Sequence, residues 1–443
     1  MTKILTTIGP VSSDKNLKFS LKRSGMLRFN MSHNTVGWHK KNIDLIKKID
    51  PNKYVLVDIP GAKPRTLNKM PIKIYKGKKI TFSYELNKAN VKDVILISNP
   101  LPKLIKKKNN FFSLSDGSFL FKFISLKNNK LTGISLQNFY LQPRKGLNIP
   151  YSIYDDEFQS KVYIKFMKKI ASLKYDCIGL SFVQSAKIIK ILKNRNKDKI
   201  FISKIENFLG YSNRKEIIKE SDAIMIDRGD LAAEVGNEKL TEFSENIIND
   251  CKKAGKPIII ATENLNSLIN NHSPSKSDIL NLDYYISKKV DFIMLSDETT
   301  TSPRWKNTLN WLKKYLNLKK NKIISNKIFD ISQILQNLSN YVLVIFTKKG
   351  FFLEKFKGDN FSKLIVFTEN RQLSKIVNLK ENIHSFYSKF PKTNIDKFLF
   401  QNIKNKKDLI FKGNKSAFLI NVTFPRKKSR ANTFMILSKK DFQ

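Results

Sequence analysis

The chain carries a lysine and two acidic residues whose spacing suits metal-assisted chemistry. Lys204 and Glu206 stand two apart in SKIEN, and Asp230 follows in RGDL. Alternate residues of a strand point the same way, so Lys204 and Glu206 are expected on one side. Glu206 and Asp230, from adjacent strands, could share a hard cation such as Mg²⁺ or Mn²⁺, which takes oxygen ligands and keeps positions open for substrate.

Residues near this set could bind and transfer an anion. Arg28 and Lys204 add positive charge for a transferring phosphoryl group. Gly229 and Asp230 lie at a predicted helix start, where free backbone N–H groups favour a phosphate or a carboxylate. Thr262 could relay a proton. Together these residues indicate metal-assisted chemistry on an anionic substrate.

Eight short apolar runs are predicted to position these residues. The runs are 4–8, 26–29, 54–59, 177–182, 200–205, 223–226, 257–261 and 292–295. Stretches of helical periodicity, for example 161–173 and 240–254, lie between most of them. Continuous apolar strands that alternate with helices predict a parallel sheet covered by helices. Eight such units predict an α/β fold, the closed (β/α)8 TIM barrel.

Chemistry in such a barrel sits at the carboxyl ends of the strands. Polar residues follow six of the eight runs: Arg28, Asn30, Ser32, His33; Asp58; Lys204, Glu206; Arg228, Gly229, Asp230; Thr262; and Ser296, Asp297, Glu298. A lone acidic pair is more often a solvated strand end, Lys204 alone could be a surface lysine, and Asp58 alone could cap a helix. The joint arrangement favours a catalytic site.

Two regions depart from the alternation of strands and helices. Residues 67–145 contain β-type runs and read as a small all-β insertion after the third strand, whereas the chain from 326 onward returns to a β/α pattern. The predicted domains are therefore a catalytic barrel at 1–66 and 146–325, an inserted domain at 67–145 and a C-terminal α/β domain at 326–443.

The charge of the chain is strongly positive, with 82 Lys and Arg against 37 Asp and Glu, a formal +45. Such a charge could mark a nucleic-acid or membrane-surface binder. It could also reflect a Lys/Asn/Ile-rich composition imposed by an AT-rich genome. The lysines are scattered through every segment, without a basic tail or an interleaved aromatic motif. That spread favours the second interpretation, and nucleic acid is not the expected partner.

The sequence predicts a reduced, cytoplasmic protein. No apolar stretch of the roughly 20 residues that a membrane span needs is present, so no membrane is expected as a partner. The N-terminal MTKILTTIGP reads as a strand rather than a secretory signal. The two cysteines, Cys177 and Cys251, lie in apolar or helical surroundings and do not suggest a disulfide framework.

Nine segments in order along nearly the whole chain resemble motifs of the pyruvate kinase family. They are KILTTIGP at 3–10, SGMLRFNMSH at 24–33, SDG at 115–117, RKGLNIP at 144–150, FISKIEN at 201–207, IMIDRGDLAAE at 224–234, AGKPIIIAT at 254–262, IMLSDET at 293–299 and ANT at 431–433. The resemblance implies phosphoryl transfer from phosphoenolpyruvate to ADP, giving pyruvate and ATP in glycolysis. It also implies that the insertion is a small β-barrel lid and that the protein is a homotetramer.

The resemblance also implies roles for individual residues. Glu206 and Asp230 would hold the divalent metal, Lys204 and Arg28 would bind the phosphoryl group, and Thr262 would help to protonate the enolate through water. The N–H groups of Gly229 and Asp230 would bind the substrate carboxylate. Arg65 and His33 would contact the nucleotide, together with Lys145 and Asp116 from the lid. Asn30, Ser32 and Asp58 would form a monovalent-cation region.

The family's DTKGPEIRTG stretch reads DIPGAKPRTL here, at 58–67. Pro60 replaces a lysine, and Lys63 replaces a glutamate that lies near K⁺ in K⁺-dependent members of the family. Members with lysine at this position resemble K⁺-independent enzymes, because an ammonium group can supply the charge that K⁺ would supply. We therefore expect Lys63 to lie in the monovalent-cation region and K⁺ not to be required.

Other departures from the family pattern surround the expected pocket. Asp227 stands where the family usually has alanine, Glu263 and Asn264 change the polarity beside Thr262, and Asp297 replaces a glycine. Asp227 could repel the substrate's carboxylate, add a metal ligand or select a different substrate. An alternative is therefore a divergent pyruvate-kinase-like metal-dependent enzyme acting on another enolpyruvyl or 2-keto acid substrate. A third hypothesis, a non-catalytic nucleic-acid binder, has no need of the retained site residues.

The family's effector-phosphate loop, of the type T-x-S-G-R-S/T, reads TKKGFFL here, at 347–353. The serine and arginine positions are replaced. Lys348 and Lys349 could still bind an anion, but a sugar-bisphosphate site of the usual form is not expected.

Overall fold

The computed structural model describes residues 2–84, 93–104, 110–320, 341–348, 350, 363–391, 393–411, 416–421 and 433–442. The strands in chain order are β1 (Lys3–Thr7), β2 (Met26–Asn30), β3 (Tyr54–Ile59), β4 (Ile72–Ile74), β5 (Lys79–Ser83), β6 (Val94–Leu96), β7 (Lys103–Leu104), β8 (Phe111–Leu114), β9 (Phe119–Lys127), β10 (Lys130–Ser135), β11 (Phe139–Leu141), β12 (Leu147–Asn148), β13 (Ser152–Ile153), β14 (Cys177–Leu180), β15 (Ile200–Ile205), β16 (Ala223–Asp227), β17 (Ile258–Ala261), β18 (Phe292–Leu295), β19 (Tyr341–Phe346), β20 (Lys363–Thr368), β21 (Ile383–Tyr387), β22 (Ser416–Asn421) and β23 (Thr433–Ser438).

The helices in chain order are α1 (Leu17–Arg23), α2 (Val36–Ile49), α3 (Asp156–Lys169), α4 (Ala186–Arg195), α5 (Phe208–Ser212), α6 (Arg214–Glu220), α7 (Arg228–Val235), α8 (Asn237–Lys253), α9 (Lys276–Ser287), α10 (Asp297–Thr300), α11 (Trp305–Lys320), α12 (Arg371–Val377), α13 (Ile395–Lys404) and α14 (Lys407–Ile410). No helix in this described part of the chain is both long enough and apolar enough to cross a membrane.

Eight parallel strands close into a barrel in the order β1-β18-β17-β16-β15-β14-β3-β2. They correspond to the eight predicted apolar runs, which confirms the predicted TIM barrel. Their residues are almost entirely buried because helices such as α8 cover the outside, where Phe243, Ile247 and Ile248 pack on the strands. Cys177 and Cys251 are both buried and form no disulfide.

The side chains that face the barrel interior change from apolar to polar toward the carboxyl ends of the strands. The apolar ones include Met26, Leu56, Ile202 and Met225, all fully buried in one cluster. Two residues further on, and therefore on the same side of each strand, come Arg28, Asp58, Lys204 and Asp227. The period of two along each strand thus places four charged side chains at one mouth of the barrel.

The insertion between β3 and β14 contains a sheet with the strand order β12-β8-β9-β10-β5-β6, and two strand pairs, β11 with β4 and β13 with β7. Phe82, Phe112 and Phe121 pack at its centre, with Phe112 stacked on Phe121 at 5.0 Å between ring centroids. The order of the described strands has two ends, at β12 and β6, so closure into a small barrel stays a prediction, as do the domain bounds.

The C-terminal part forms a five-stranded sheet in the order β21-β20-β19-β22-β23, with β23 antiparallel to the others. The predicted α/β character of this part is confirmed. Gln372 of α12 donates from Nε2 to the Lys199 carbonyl at 2.8 Å, just before β15 begins. The C-terminal sheet is therefore tied to the amino-terminal end of the barrel, away from the charged mouth.

Candidate active site

Lys204 is buried at the mouth of the barrel among carboxylates from three strand ends. Its Nζ lies 2.7 Å from Glu206 Oε1, 3.2 Å from Asp227 Oδ2 and 3.4 Å from Asp58 Oδ2. Burial would lower the pKa of Lys204, but the three carboxylates outweigh it and hold the pKa well above its usual value. The side chain is therefore a fixed ammonium group.

Asp58 connects Lys204 to Arg28. The Nε and Nη2 atoms of Arg28 both lie 2.8 Å from Asp58 Oδ2, and Nη1 donates to Thr7 Oγ1 at 3.0 Å. Ser181 donates to Asp58 Oδ1 at 3.2 Å. Burial would raise the pKa of Asp58, but Lys204 and Arg28 hold it below its usual value. The two predicted phosphoryl-binding cations are thus oriented by one ionised carboxylate.

Three carboxylates meet on the other side of Lys204. One oxygen each of Glu206, Asp227 and Asp230 lie within 4.8 Å of one another. Glu206 Oε2 accepts the Phe182 N–H, and Glu206 Oε1 is ion-paired with Lys204 Nζ. Burial raises the pKa of Glu206 to about 8. An all-oxygen donor set of this kind fits a hard divalent cation.

Asp230 is held by the segments that flank the insertion. Lys63 Nζ forms an ion pair with Asp230 Oδ1, and Asn148 Nδ2 donates to the same oxygen at 3.0 Å. Lys63 Nζ also lies 3.2 Å from Asp116 Oδ1. Burial would raise the pKa of Asp230, but Lys63 and the hydrogen bonds hold it below its usual value. Asp230 therefore stays ionised.

Lys63 was expected beside Asn30, Ser32 and Asp58. Within the described residues, the ion pairs of its Nζ run instead to Asp230 and to a residue of the insertion. The side-chain oxygen of Asn30 accepts the Ser32 N–H at 3.1 Å. Asp58 is already paired with two cations. The structure thus brings Lys63 to the carboxylate cluster rather than to the expected monovalent-cation residues.

The insertion reaches over the site through the turn between β8 and β9. Ser115 and Asp116 both have left-handed backbone conformations, with φ of 56° and 54°. A Cβ on Gly117 would lie 3.5 Å from Ala233 Cβ, so this turn lies close to α7. The neighbouring Asp230 carboxylate raises the pKa of Asp116 to about 6.

The three predicted nucleotide-contacting residues lie at the edge of the mouth. Arg65 donates from Nη1 to the Arg144 carbonyl at 3.3 Å. The Lys145 N–H donates to Thr66 Oγ1 at 3.1 Å, and His33 is exposed, with its carbonyl 2.8 Å from His39 Nε2. The first two contacts join the segment that enters the insertion to the segment that returns from it.

Thr262 follows β17 in a strained conformation. Thr262 and Glu263 have φ of 64° and 50°, and a β-branched residue rarely adopts a positive φ. Arg228 holds this turn, donating from Nη2 to the Thr262 carbonyl and to Asn264 Oδ1, the latter at 3.1 Å. Thr262 Oγ1 accepts the Gly229 N–H at 2.9 Å. The strained turn therefore places the Thr262 hydroxyl at the start of α7.

Three site side chains had no place in the sequence predictions: Thr7, Ser181 and Asn148. Thr7 ends β1 and Ser181 directly follows β14, the two strand ends at which no polar residue had been noted, so the strand-end rule applied there would have found both. Asn148 lies in the RKGLNIP segment, and its position beside Asp230 depends on how the chain returns from the insertion. No local sequence signal indicates that contact.

The predicted anion-binding loop lies far along the chain from this site. Lys348 Nζ lies 3.1 Å from Glu369 Oε2, and both residues line a cavity of about 750 Å³ beside the C-terminal sheet. Lys349 and residues 351–353 of the same loop lie outside the described residues.

Comparisons with known proteins agree with this arrangement. A family model described as pyruvate kinase, barrel domain, matches residues 1–304. A pyruvate kinase of Thermococcus litoralis is 30% identical over 310 residues, covering 67% of this chain and 65% of the relative. A pyruvate kinase of Sporosarcina psychrophila is 33% identical over 316 residues, covering 67% and 53%. The chain thus spans about half to two thirds of the length of these relatives.

A solved structure resembles the chain over nearly its whole length. The crystal structure of a pyruvate kinase from Cryptosporidium parvum matches with a TM-score of 0.77, covering 99% of this chain and 96% of that one. The identity between the two is 21%, so this likeness concerns the fold.

Proposed function

The chain belongs to the pyruvate kinase family, and from that premise we propose that it transfers the phosphoryl group of phosphoenolpyruvate to ADP, giving pyruvate and ATP. The observation that carries the proposal is the buried Lys204 ammonium, fixed within 3.4 Å of three carboxylates at the mouth of the barrel. A charge held in place before the reaction needs no reorganisation when negative charge develops beside it.

Lys204 and Arg28 are proposed to bind the phosphoryl group. The bond between the enol oxygen and phosphorus breaks while a terminal phosphate oxygen of ADP bonds to phosphorus, and charge spreads over the transferring oxygens. Asp58 orients both cations, which supports a shared role on one anion. The enolate that departs must then gain a proton at its terminal carbon.

Glu206 and Asp230 are proposed to hold Mg²⁺ or Mn²⁺. Such an ion supplies Lewis-acid stabilisation of negative charge on substrate oxygens. The chain's own part is to present and orient carboxylate oxygens. Lys63 keeps Asp230 ionised, and the Phe182 N–H fixes one oxygen of Glu206.

Thr262 is proposed to help deliver the proton through a water molecule. Its hydroxyl is held in place by the Gly229 N–H. The N–H groups of Gly229 and Asp230 at the start of α7 are proposed to bind the substrate carboxylate, since unpaired N–H groups at a helix start favour anions. The Gly229 N–H would then be shared between Thr262 Oγ1 and that carboxylate.

The nucleotide is proposed to lie between the barrel and the insertion, with Arg65, His33 and Lys145 near its phosphates. Asp116, in the turn above α7, would close over it, which fits a lid that excludes water from the transfer. Beyond the site, we propose the family's usual context: a cytoplasmic homotetramer acting in glycolysis.

K⁺ is proposed not to be required. Asp58, the carboxylate of the expected monovalent-cation region, is already neutralised by Arg28 and Lys204. Lys63 adds a further positive charge to the cluster through Asp230. Both contacts supply locally the positive charge that a bound K⁺ would otherwise bring.

A second candidate rests on Asp227, which places a carboxylate 3.2 Å from Lys204 Nζ. A pocket with this extra negative charge would favour a less highly charged enolpyruvyl or 2-keto acid substrate. The two candidates are separated by incubating the protein with phosphoenolpyruvate, ADP and Mg²⁺ and measuring pyruvate and ATP together. Equal amounts of both products support the kinase. Pyruvate without ATP, or neither product, favours the second candidate.

A further inference from the structure

Asp227 occupies a position between the two proposed metal ligands. It ends β16, whose neighbour β15 leads to Glu206, and it directly precedes α7, which carries Asp230. It is 6% exposed. One of its oxygens lies within 4.8 Å of an oxygen from each of the other two carboxylates. The geometry therefore groups Asp227 with Glu206 and Asp230.

We infer that Asp227 is a third protein ligand of the divalent cation, so that this chain binds the cation tightly before any substrate is present. The inference rests on the proposed metal site at Glu206 and Asp230. It adds to that site a residue for which the resemblance to the family supplies no role, since the family usually has alanine there.

The charges at the mouth of the barrel support a third carboxylate ligand. The cations in the ion-pair network are Arg28, Lys63 and Lys204, and the acids are Asp58, Asp116, Glu206, Asp227 and Asp230. A bound divalent cation favours the ionised form of each nearby carboxylate. With all five acids ionised, five negative charges face three positive charges, which leaves an excess of two. A divalent cation removes that excess, whereas alanine at position 227 would leave an excess of only one.

A buried oxygen beside the cluster gives a further indication of a bound cation. The Asn148 side chain donates from Nδ2 to Asp230 Oδ1 at 3.0 Å. Its own Oδ1 is buried and has no hydrogen-bond partner among the described residues. Buried oxygens are normally satisfied, so this oxygen beside Asp230 fits a cation-bound water.

A third carboxylate has opposite consequences for the cation and for the substrate. The affinity of an oxygen site for a divalent cation increases with the number of charged ligands. The substrate, which carries a carboxylate and a phosphate, instead meets additional negative charge beside Lys204. Asp227 therefore strengthens cation binding and weakens substrate binding.

The test is Mn²⁺ binding to the full-length protein without substrate, followed by electron paramagnetic resonance of the free ion. The test variants are Asp227→Ala, the isosteric Asp227→Asn, and Glu206→Gln. The control is Asp297→Ala, which removes an exposed acidic residue after β18. We expect both Asp227 variants to bind Mn²⁺ at least about tenfold more weakly, the lower end of what loss of a metal-site partner costs. Asp297→Ala should bind as the unmodified protein does.

The outcomes separate this inference from the proposed function. If both Asp227 variants bind Mn²⁺ like the unmodified protein while Glu206→Gln binds weakly, Asp227 is not a ligand and the proposed metal site stands. If Glu206→Gln also binds normally, the proposed site fails, and the inference with it. Circular dichroism melting identifies a variant that has lost its fold. The expected companion result is a lower KM for phosphoenolpyruvate in Asp227→Ala.

Discussion

The Lys63 ammonium is ion-paired with the Asp230 carboxylate, which joins the loop that leads into the insertion to the first turn of α7. Both side chains are at least 85% buried. The pair therefore connects the position of the insertion to the ionisation of a proposed metal ligand. A change at Lys63 should be felt at the metal site even though Lys63 contacts no substrate in the proposed mechanism.

Lys63→Gln should lower activity and make it sensitive to K⁺. Removing the ammonium group leaves Asp230 without its ion-pair partner, and breaking one side of a buried pair costs about 3–5 kcal/mol of stability. We expect the unmodified protein to turn over equally in KCl and NaCl, and K⁺ to restore part of the lost activity in Lys63→Gln. Lys79→Gln, at an exposed lysine of the insertion, is the matched control. Dependence of the unmodified protein on K⁺ would contradict the role given to Lys63.

Arg28→Lys should impair phosphoryl transfer despite keeping the charge. Arg28 reaches Asp58 with two nitrogens, each at 2.8 Å, and Thr7 with a third. An ammonium group cannot reproduce this planar arrangement. We expect kcat to fall by about 10²–10³, the usual effect of losing one charge-stabilising donor. An unchanged kcat in steady-state kinetics would show that the planar geometry of Arg28 is not needed for the transfer.

Replacements of Thr262 should distinguish the contribution of its hydroxyl to activity from that of its methyl group. Thr262→Ser keeps the oxygen that accepts the Gly229 N–H and removes the β-branch that disfavours a φ of 64°. It should therefore keep most of the activity. Thr262→Ala loses the oxygen, and we expect kcat to fall by about 10²–10⁴, the range for a proton-transfer group. Equal activities in the two variants would show that the hydroxyl takes no part.

Asp291, just before β18, should make stability fall as pH rises. Burial raises its pKa from 3.8 to about 6. Between those values the unfolded chain loses the proton and the folded chain keeps it, so the folded state binds more protons and its stability declines with increasing pH. Urea titrations should show this slope in the unmodified protein and a smaller slope in Asp291→Asn. If the substitution leaves the pH dependence of the unfolding free energy unchanged, groups other than Asp291 cause that dependence.

The barrel and much of its mouth could be predicted from the sequence because both depend on short-range periodicity. Alternation along each strand predicts that Lys204 and Glu206 share a side. Parallel pairing brings Asp227 of the neighbouring strand β16, and Asp58 of β3 beyond β14, to the same end of the barrel. Apolar strand cores and polar strand ends are visible without any knowledge of the loops.

Contacts made by loops could not be predicted in this way. Lys63, expected near Asp58, pairs with Asp230 because the chain turns before entering the insertion, and Asn148 reaches Asp230 as the chain returns. The use of the Gly229 N–H by Thr262 depends on the positive φ of Thr262. Each of these contacts is set by tertiary packing rather than by periodicity.

Lys204 is the centre of this account, and the most direct test is the rate of pyruvate formation from phosphoenolpyruvate, ADP and Mg²⁺ by the unmodified protein and by Lys204→Met, assayed side by side. We predict rapid, K⁺-independent formation by the unmodified protein and a loss of about 10²–10³ or more in the variant, which lacks the charge-stabilising ammonium. Circular dichroism should show that the variant remains folded. Equal rates in the two proteins, or no pyruvate from an unmodified protein that is folded and binds Mn²⁺, would contradict the account.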